Sequence, residues 1–300
     1  MPQQKPTTKV IERILPRNRV GDALFSIALF CKKTGTIPNL WHPKTFNERM
    51  LALKLSEASL DPLRQLVTDK ALVKEFVRAR ASDDYNVETY AIFDNLNGVA
   101  DFKWPAECVI KPTHSSREVI IRRGGEPDVD VDILRSWLSS NYYHDGRERN
   151  YRYLKPKIIV ERLLLDENGS LPYQDYKIFC FFGKPKFVQV DIDRFGQHRR
   201  SYYSLNWRKL PFTMNYPLES ADIKRPVRLD DMLKLSETLA EPLGFIRVDL
   251  YAFGQEIKVG ELTSWVGNCV NIFSPHEADS LVGRLFENVE QDVEALFGVR

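Results

Sequence analysis

Two alternating runs near the C-terminal end, FIRVDLYAF at 245–253 and EIKVGELT at 256–263, constrain this chain more than any other feature. They flank Gly254 and read as a β-hairpin, because side chains alternate across a strand with period two. Arg247, Asp249 and Tyr251 then share one face, while Ile246, Val248 and Leu250 face a core. With a three-residue turn, Gly254 to Glu256, Phe253 pairs with Ile257, Asp249 falls opposite Glu261 and Arg247 opposite Thr263. Directly opposed carboxylates lie about 5 Å apart and repel, so the pair implies a cation between them or a proton shared by them. A slip of one residue gives the other reading, in which Asp249 is half of a surface ion pair with Arg247. Oxygen-only ligands select Mg2+ over zinc. Mg2+ held by one or two carboxylates is typically completed by substrate phosphates, which points to a nucleotide.

Phosphates need fixed cations, and three lysines stand where a strand or helix can aim them inward. Lys70 lies in TDK at the start of a helix, Lys111 ends the strand ECVIK just before the polar turn THSSRE, and Lys177 sits in QDYKIFCFF. Any one lysine is more often a solvated surface residue than a phosphate ligand. Lys177 shares a face with Asp175 and Phe179, so it either points into a cleft or serves as an edge-strand charge that deters aggregation. Glu161 interrupts the apolar run KIIVERLLL. It reads either as part of a hinge whose backbone meets an adenine or as a carboxylate paired with Arg162 or Lys157.

Other classes fit less well. A formal charge of +2 does not build the field that nucleic-acid binders use. The cluster Arg199, Arg200, Arg208, Lys209, Lys224, Arg225 and Arg228 among Tyr202, Tyr203 and Trp207 suits an acidic glycan or a solvated face as well as a nucleic acid, so no nucleic acid is expected. The four cysteines form no CxxC pair and the five histidines no HExxH spacing, so a zinc enzyme is not expected. Lone cysteines such as Cys108 and Cys180, set among apolar neighbours, suit a reducing compartment. The longest apolar stretch, Ala23 to Cys31, is far short of the roughly 20 residues a bilayer span needs. A cytoplasmic protein is expected, with a place at the inner face of the membrane left open.

With 300 residues the chain exceeds the usual single-domain size of about 100–150, so lobes around a cleft are expected. Thr45 to Glu48, TFNE, is a capping box that opens a helix running to about Ser56. Leu72, Val73, Phe76 and Val77 mark a second helix after TDK. Short strands follow at 107–112, 118–122, 157–165, 176–182 and 186–193, with helical segments around Leu134 and Leu235 between them. One long C-terminal helix is expected from Leu281, Leu285, Phe286, Val289, Val293 and Leu296. This mixed order predicts α+β lobes rather than a doubly wound sheet.

The strings HPKTFNERM, TDKALVKEFV, VIKPTHSS, KPKIIVERLL, QDYKIFCFFGKP, VDIDRF, NWRKLPF, RVDLYAF and GELT run in order from about residue 36 to 263. Together they resemble the TupA-like (teichuronopeptide biosynthesis) branch of the ATP-grasp superfamily, associated with cell-surface polysaccharide biosynthesis. The resemblance implies an ATP-grasp fold in which two α+β lobes grip a nucleotide. An N-terminal helical region would cover residues 1–65 and the ATP-grasp region 66–300, with a loop-bearing lobe at about 101–155, a metal-binding lobe at about 156–276 and the C-terminal helix at 277–300.

It also implies roles. Lys70, Lys111 and the loop residues His114, Ser115 and Ser116 would meet ATP phosphates, Glu161, Arg162, Leu163 and Leu164 the adenine, and Asp249 and Glu261 Mg2+. Lys177 and Arg247 would face the transferred phosphate, with Asp175, Asp193 and Arg194 on the acceptor side. The family reaction makes an acyl phosphate from a carboxylate and ATP, which an amine then attacks. The implied partners are a carboxylate-bearing acceptor, such as a uronic-acid sugar or amino acid, and an amine donor.

Two departures bear on activity. No glycine occurs between Lys103 and Gly124, where family members usually carry them, and Ser115, Ser116 and Arg117 stand instead. Thr263 sits where other ATP-grasp enzymes often place an Asn metal ligand, and SWVGNCVNIF replaces a Gly-rich turn after GELT. A degenerate nucleotide-binding relative and a glycan transferase of a polysaccharide locus are the competing classes.

Overall fold

The computed structural model describes residues 15–116, 118–124, 129–165, 174–193 and 196–299. Helix α1 (Arg19–Thr34) starts at the Asn18 side-chain cap and ends at Gly35, whose left-handed φ of 75° a side chain would resist. Helix α2 (Phe46–Leu55) carries the reciprocal Thr45–Glu48 capping box expected from TFNE. Helices α3 (Pro62–Thr68) and α4 (Leu72–Arg80) follow. The Asp69 carboxylate accepts the Ala71 and Leu72 N–H groups that open α4 and the Thr113 hydroxyl, so it anchors Lys70 between them.

Two antiparallel sheets make the α+β architecture. The first has the order β1 (Thr89–Phe93), β4 (Ile158–Arg162), β2 (Cys108–Pro112), β3 (Ile120–Arg122). Its Cys108, Ile110, Ile158 and Val160 pack with Leu134 and Trp137 of α5 (Val131–Leu138), which leaves Lys111 and Glu161 on the opposite face. A short helix α6 (Tyr143–Gly146) precedes β4. Strand β1 was not expected from the sequence.

The second sheet has the order β10 (Glu256–Thr263), β9 (Ile246–Phe253), β5 (Gln174–Phe181), β6 (Lys184–Ile192), β7 (Arg199–Ser204). One face, with Ile178, Cys180, Val188, Val190, Val248 and Leu250, packs on Met232, Leu235 and Leu239 of α7 (Leu229–Ala240) and on Val73 and Val77 of α4. The other face changes character along its length. Phe179, Phe181, Phe187 and Tyr202 lie under Phe46, Met50 and Leu51 of α2, while Lys177, Asp175, Asp191 and Asp249 continue the same face as charges. The N-terminal helices therefore share this aromatic core with the sheet.

A two-stranded pair, β8 (Thr213–Met214) with β11 (Phe273–Ser274), completes the strands among the described residues. The expected long C-terminal helix is instead two short ones, α8 (Ala278–Gly283) and α9 (Val293–Phe297). Asn288 and Asp292 accept the N–H groups of Glu290 and Glu294, local bonds that compete with helix continuation.

Candidate functional site

On the first sheet, Val109 of β2 pairs with Glu161 of β4, two residues before Lys111 on the same face. The buried Glu161 carboxylate receives Lys111 at 2.5 Å and Lys74 of α4 at 2.6 Å. Burial alone would raise its pKa, but Lys111 and Lys74 hold it below the ordinary range. Burial lowers Lys111 too, yet the Glu161 partner outweighs it and the net shift is upward. Lys70 is pushed down, by burial first and by its neighbour Lys111 as well, with Glu261 opposing, and its ammonium rests on the Ser115 carbonyl. Burial likewise pushes Lys74 down. Lys111 and Lys74 thus share one carboxylate while Lys70 rests on a backbone carbonyl, and burial above all makes Lys70 and Lys74 titrate lower than usual.

Neither partner expected for Glu161 is the one found. Arg162 turns to Glu256 at 2.7 Å, and Leu163 and Leu164 continue from β4 as buried residues. Lys74 was missed, although it lies within TDKALVKEFV.

On the second sheet Asp249 does stand opposite Glu261, and Arg247 opposite Thr263. The route differs from the expected one. Glu256 pairs directly with Phe253, so the turn is one residue shorter, and a bulge between Val259 and Glu261 restores the alignment. Gly260 permits it, since a Cβ there would come within 2.9 Å of the Tyr251 ring.

Between the carboxylates lies Arg247. Its guanidinium donates twice to Asp249 at 2.6 Å, reaches Glu261 at 3.5 Å and donates to the Thr263 hydroxyl at 3.1 Å. Lys177 contacts Asp175 at 2.5 Å, Asp191 at 3.4 Å and Asp249 at 3.7 Å. Burial would lower Lys177, but these three carboxylates raise it overall. Burial pushes Asp249 up to about 6 against the pull of Arg247 and Lys177. Lys177 therefore lies buried on an inner strand and is not an edge-strand charge.

In this structure the cation between the two carboxylates is the Arg247 guanidinium. The two carboxylates lie on opposed strands, with both Asp249 oxygens taken by Arg247 and Glu261 partly open to solvent. No group of three acidic, His or Cys side chains that could hold a metal occurs among the described residues. Two carboxylates with further oxygens from phosphate and water are what Mg2+ commonly takes.

Other expected residues are differently employed. Both ring nitrogens of His114 are engaged, Nε2 with the Trp137 carbonyl at 3.1 Å and Nδ1 with the Lys157 N–H at 3.3 Å. Ser115 donates its hydroxyl to Glu118 at 2.5 Å, and Ser116 is half-buried. Asp193 has a φ of 48° and closes its own turn by accepting the Gln197 N–H at 2.7 Å. Arg117 and Arg194 lie outside the described residues.

Asp191, in VDID, was not singled out, yet it extends the charged face. It is buried between Lys177 and Arg200, the latter at 2.6 Å. Burial opposes its ionisation, but Lys177, His198 and Arg200 hold it well below the usual carboxylate range. The remaining basic cluster is largely neutralised. Arg208 pairs with Glu294, Lys209 with Asp222, Arg225 with Asp230 and Arg228 with Asp231, while Tyr202 and Tyr203 are buried.

Among solved structures, the chain is similar to a D-alanine–D-alanine ligase from Bacillus anthracis, with 16% identity, 77% of this chain and 66% of that one covered, and a TM-score of 0.41. It is similar to the ATP-grasp ligase PsnB complexed with a phosphomimetic variant of minimal precursor, Mg and ADP, with 12% identity, 84% and 66% covered, and a TM-score of 0.40. For the D-cycloserine synthetase DcsG the values are 17%, 67%, 63% and 0.35. The chain spans 66% of the first of these ligases and 63% of the last. No curated protein matches it. The family model described as TupA-like ATPgrasp matches residues 48–287, a span that runs from the capping box of α2 past both sheets. The chain therefore belongs to the TupA-like ATP-grasp family.

Proposed function

We propose that the protein is an ATP- and Mg2+-dependent ligase that activates a carboxylate as an acyl phosphate and joins it to an amine, in the biosynthesis or modification of a cell-surface polysaccharide. The observation that carries this reading is a pair of opposed carboxylates in the same fold as a cluster of cations around one buried acid. Lys74 and Lys111 converge on Glu161, and Asp249 and Glu261 face each other across β9 and β10 with Arg247 between them.

In this reading Lys70 and Lys111 bind ATP phosphates, and the chain from Glu161 to Leu164 lines the adenine. Asp249 and Glu261 would hold Mg2+, which supplies charge neutralisation at the phosphoryl group. Arg247 and Lys177 orient the transferred phosphate and stabilise the charge that develops on it. The acceptor carboxylate oxygen bonds to the γ-phosphorus as the bond to ADP breaks. An amine then attacks the acyl carbon, phosphate leaves, and the amine proton passes to solvent. Asp175 and Asp193, with Arg194, belong to the acceptor side, where a uronic-acid sugar or amino acid would sit. In this reading residues 1–65 form an N-terminal helical region and residues 66–300 the ATP-grasp region. Three buried free cysteines favour a reducing, cytoplasmic compartment, and a polysaccharide role favours the inner face of the membrane.

A second reading, a nucleotide-binding relative without turnover, is favoured by the loop after Lys111. His114 and Ser115 are bonded to protein there, and no glycine offers its backbone. ADP release, measured with uronic-acid and amino-acid acceptors alongside thermal shift in Mg-ATP and in ATP with EDTA, separates the two. A Mg-ATP shift together with acceptor-dependent ADP supports the ligase. A shift without ADP for any acceptor supports the binder, and no shift at all refutes both.

A further inference from the structure

We propose that the outer surface of the N-terminal region, helix α1 with the loop that follows it, docks on an anionic phospholipid bilayer. Helix α1 buries Asp22, Phe25, Ser26 and Phe30 against the protein. On its other side Val20 is 65% exposed and Leu24 51% exposed, and Ala28 is exposed one turn further on. Residues four apart lie on one helical stripe, so these three form a single apolar line facing outward. In the loop after the helix, Ile37 is 83% exposed and Trp41 92% exposed. One exposed leucine needs no explanation, but this much exposed apolar surface from one short stretch of chain does.

Charge decides the occupant. Arg17, Arg19, Lys32, Lys33 and Lys44 are all exposed. The one carboxylate between Leu15 and Asn47 is Asp22, buried in its pair with Arg147. Arg19 has an ion pair with Glu57 at 3.3 Å, with both side chains largely in water. A second copy meeting this surface through the same patch would set like charges against each other. Nucleic acid would meet the lysines, but it would bury Val20, Leu24 and Ile37 against phosphates with nothing gained. An anionic bilayer satisfies every part. Aliphatic side chains enter the acyl boundary, the indole sits among headgroups, and lysines meet lipid phosphates. Among the described residues no helix is long and apolar enough to cross a membrane, so this contact is interfacial. The proposal does not depend on the ligase reading.

Co-sedimentation of the full chain with phosphatidylglycerol-containing vesicles and with pure phosphatidylcholine vesicles tests it. The expected result is binding to the anionic vesicles only, largely lost at about 0.5 M salt, where screening is short-ranged. Ile37→Ser with Trp41→Ser should lower the partition coefficient at least tenfold, and Lys33→Glu with Lys44→Glu should lower it comparably. Wild-type unfolding midpoints certify that these surface variants are folded. Equal binding to both vesicle types, no binding at low salt, or full binding by the Ile37/Trp41 variant overturns the proposal. A dimer in sedimentation equilibrium that those serines convert to monomer also overturns it, in favour of a self-association surface.

Discussion

Asp249 and Glu261 face each other across the β9–β10 hairpin only because the backbone at Gly260 bulges. A side chain at Gly260 meets the Tyr251 ring at 2.9 Å. Gly260→Val should destabilise the protein by about 1–3 kcal/mol, as overpacking does, and should erase the Mg2+-dependent part of ATP stabilisation. Tyr251→Ala in the same chain should restore most of the lost stability. Urea unfolding and thermal shift measure both, and an unchanged Mg2+ response in Gly260→Val would show that the bulge does not align the carboxylates.

Asp249→Asn and Glu261→Gln should each abolish the difference in thermal shift between Mg-ATP and ATP with EDTA, while the apo protein still unfolds cooperatively. A nucleotide at 100 times its dissociation constant stabilises by about 2.7 kcal/mol, so the loss is measurable. Wild-type binding indifferent to EDTA would sink the metal assignment.

Legibility in the sequence followed the range of the interactions. The capping box at Thr45 and the alternation that sets Arg247 and Asp249 on one face are local, and local rules recover them. The Asp249–Glu261 alignment was reached through a turn one residue too long, compensated by a bulge that alternation cannot reveal. Lys74 and Lys111 come to Glu161 from a helix and a neighbouring strand far apart in the chain, and no spacing rule reports such a meeting. Helical periodicity over 281–296 was real, but Asn288 and Asp292 spend their side chains on nearby N–H groups and break the helix.

Glu161→Gln removes the buried counter-ion of two half-buried lysines. Breaking a buried pair costs about 3–5 kcal/mol, so the apo protein should lose stability on that scale. Mg-ATP should then restore a larger share of the melting temperature than it adds to the wild type, because phosphate replaces the missing carboxylate beside Lys111 and Lys74. An equal ATP increment in both proteins would mean that the nucleotide does not reach these lysines.

The pH dependence follows from Asp249. Its folded pKa of about 6 lies above the ordinary value of 3.8, so the native state holds the proton longer than the unfolded chain does. Its contribution to stability is present below the ordinary value and is lost as pH rises through about 6. Metal binding runs oppositely, since Mg2+ needs the ionised form. The Mg2+-dependent share of the ATP thermal shift should therefore grow between about pH 5 and 7 and then level off, and Asp249→Asn should flatten the profile. A flat wild-type profile would remove Asp249 from the metal site.

Lys54 is fully buried and donates to the Ser26 hydroxyl at 3.2 Å, the Gly146 carbonyl at 3.0 Å and Asn268 Oδ1 at 2.5 Å. Asn268 lies in a run of left-handed residues, Gly267, Asn268 and Cys269, with φ of 58°, 53° and 64°. Lys54→Met keeps the stem but removes the donor to Ser26 and Asn268 Oδ1, leaving the Gly146 carbonyl its bond from Asn268 Nδ2, for an expected loss of about 2–4 kcal/mol. Chemical denaturation reads this directly, and a loss below about 0.5 kcal/mol would show that the strained run is held by other contacts.

Arg162 closes β4 of one sheet, and Glu256 opens β10 of the other. Their ion pair is 2.7 Å long, and 36% and 45% of the two side chains are open to water. Exposed pairs of this kind contribute about 0–1 kcal/mol, little more than thermal energy, and salt weakens them further. This fastening between the sheets can therefore open and shut readily without loss of the fold. If the chain turns nucleotide over as proposed, so weak a link sets no barrier to the departure of spent nucleotide.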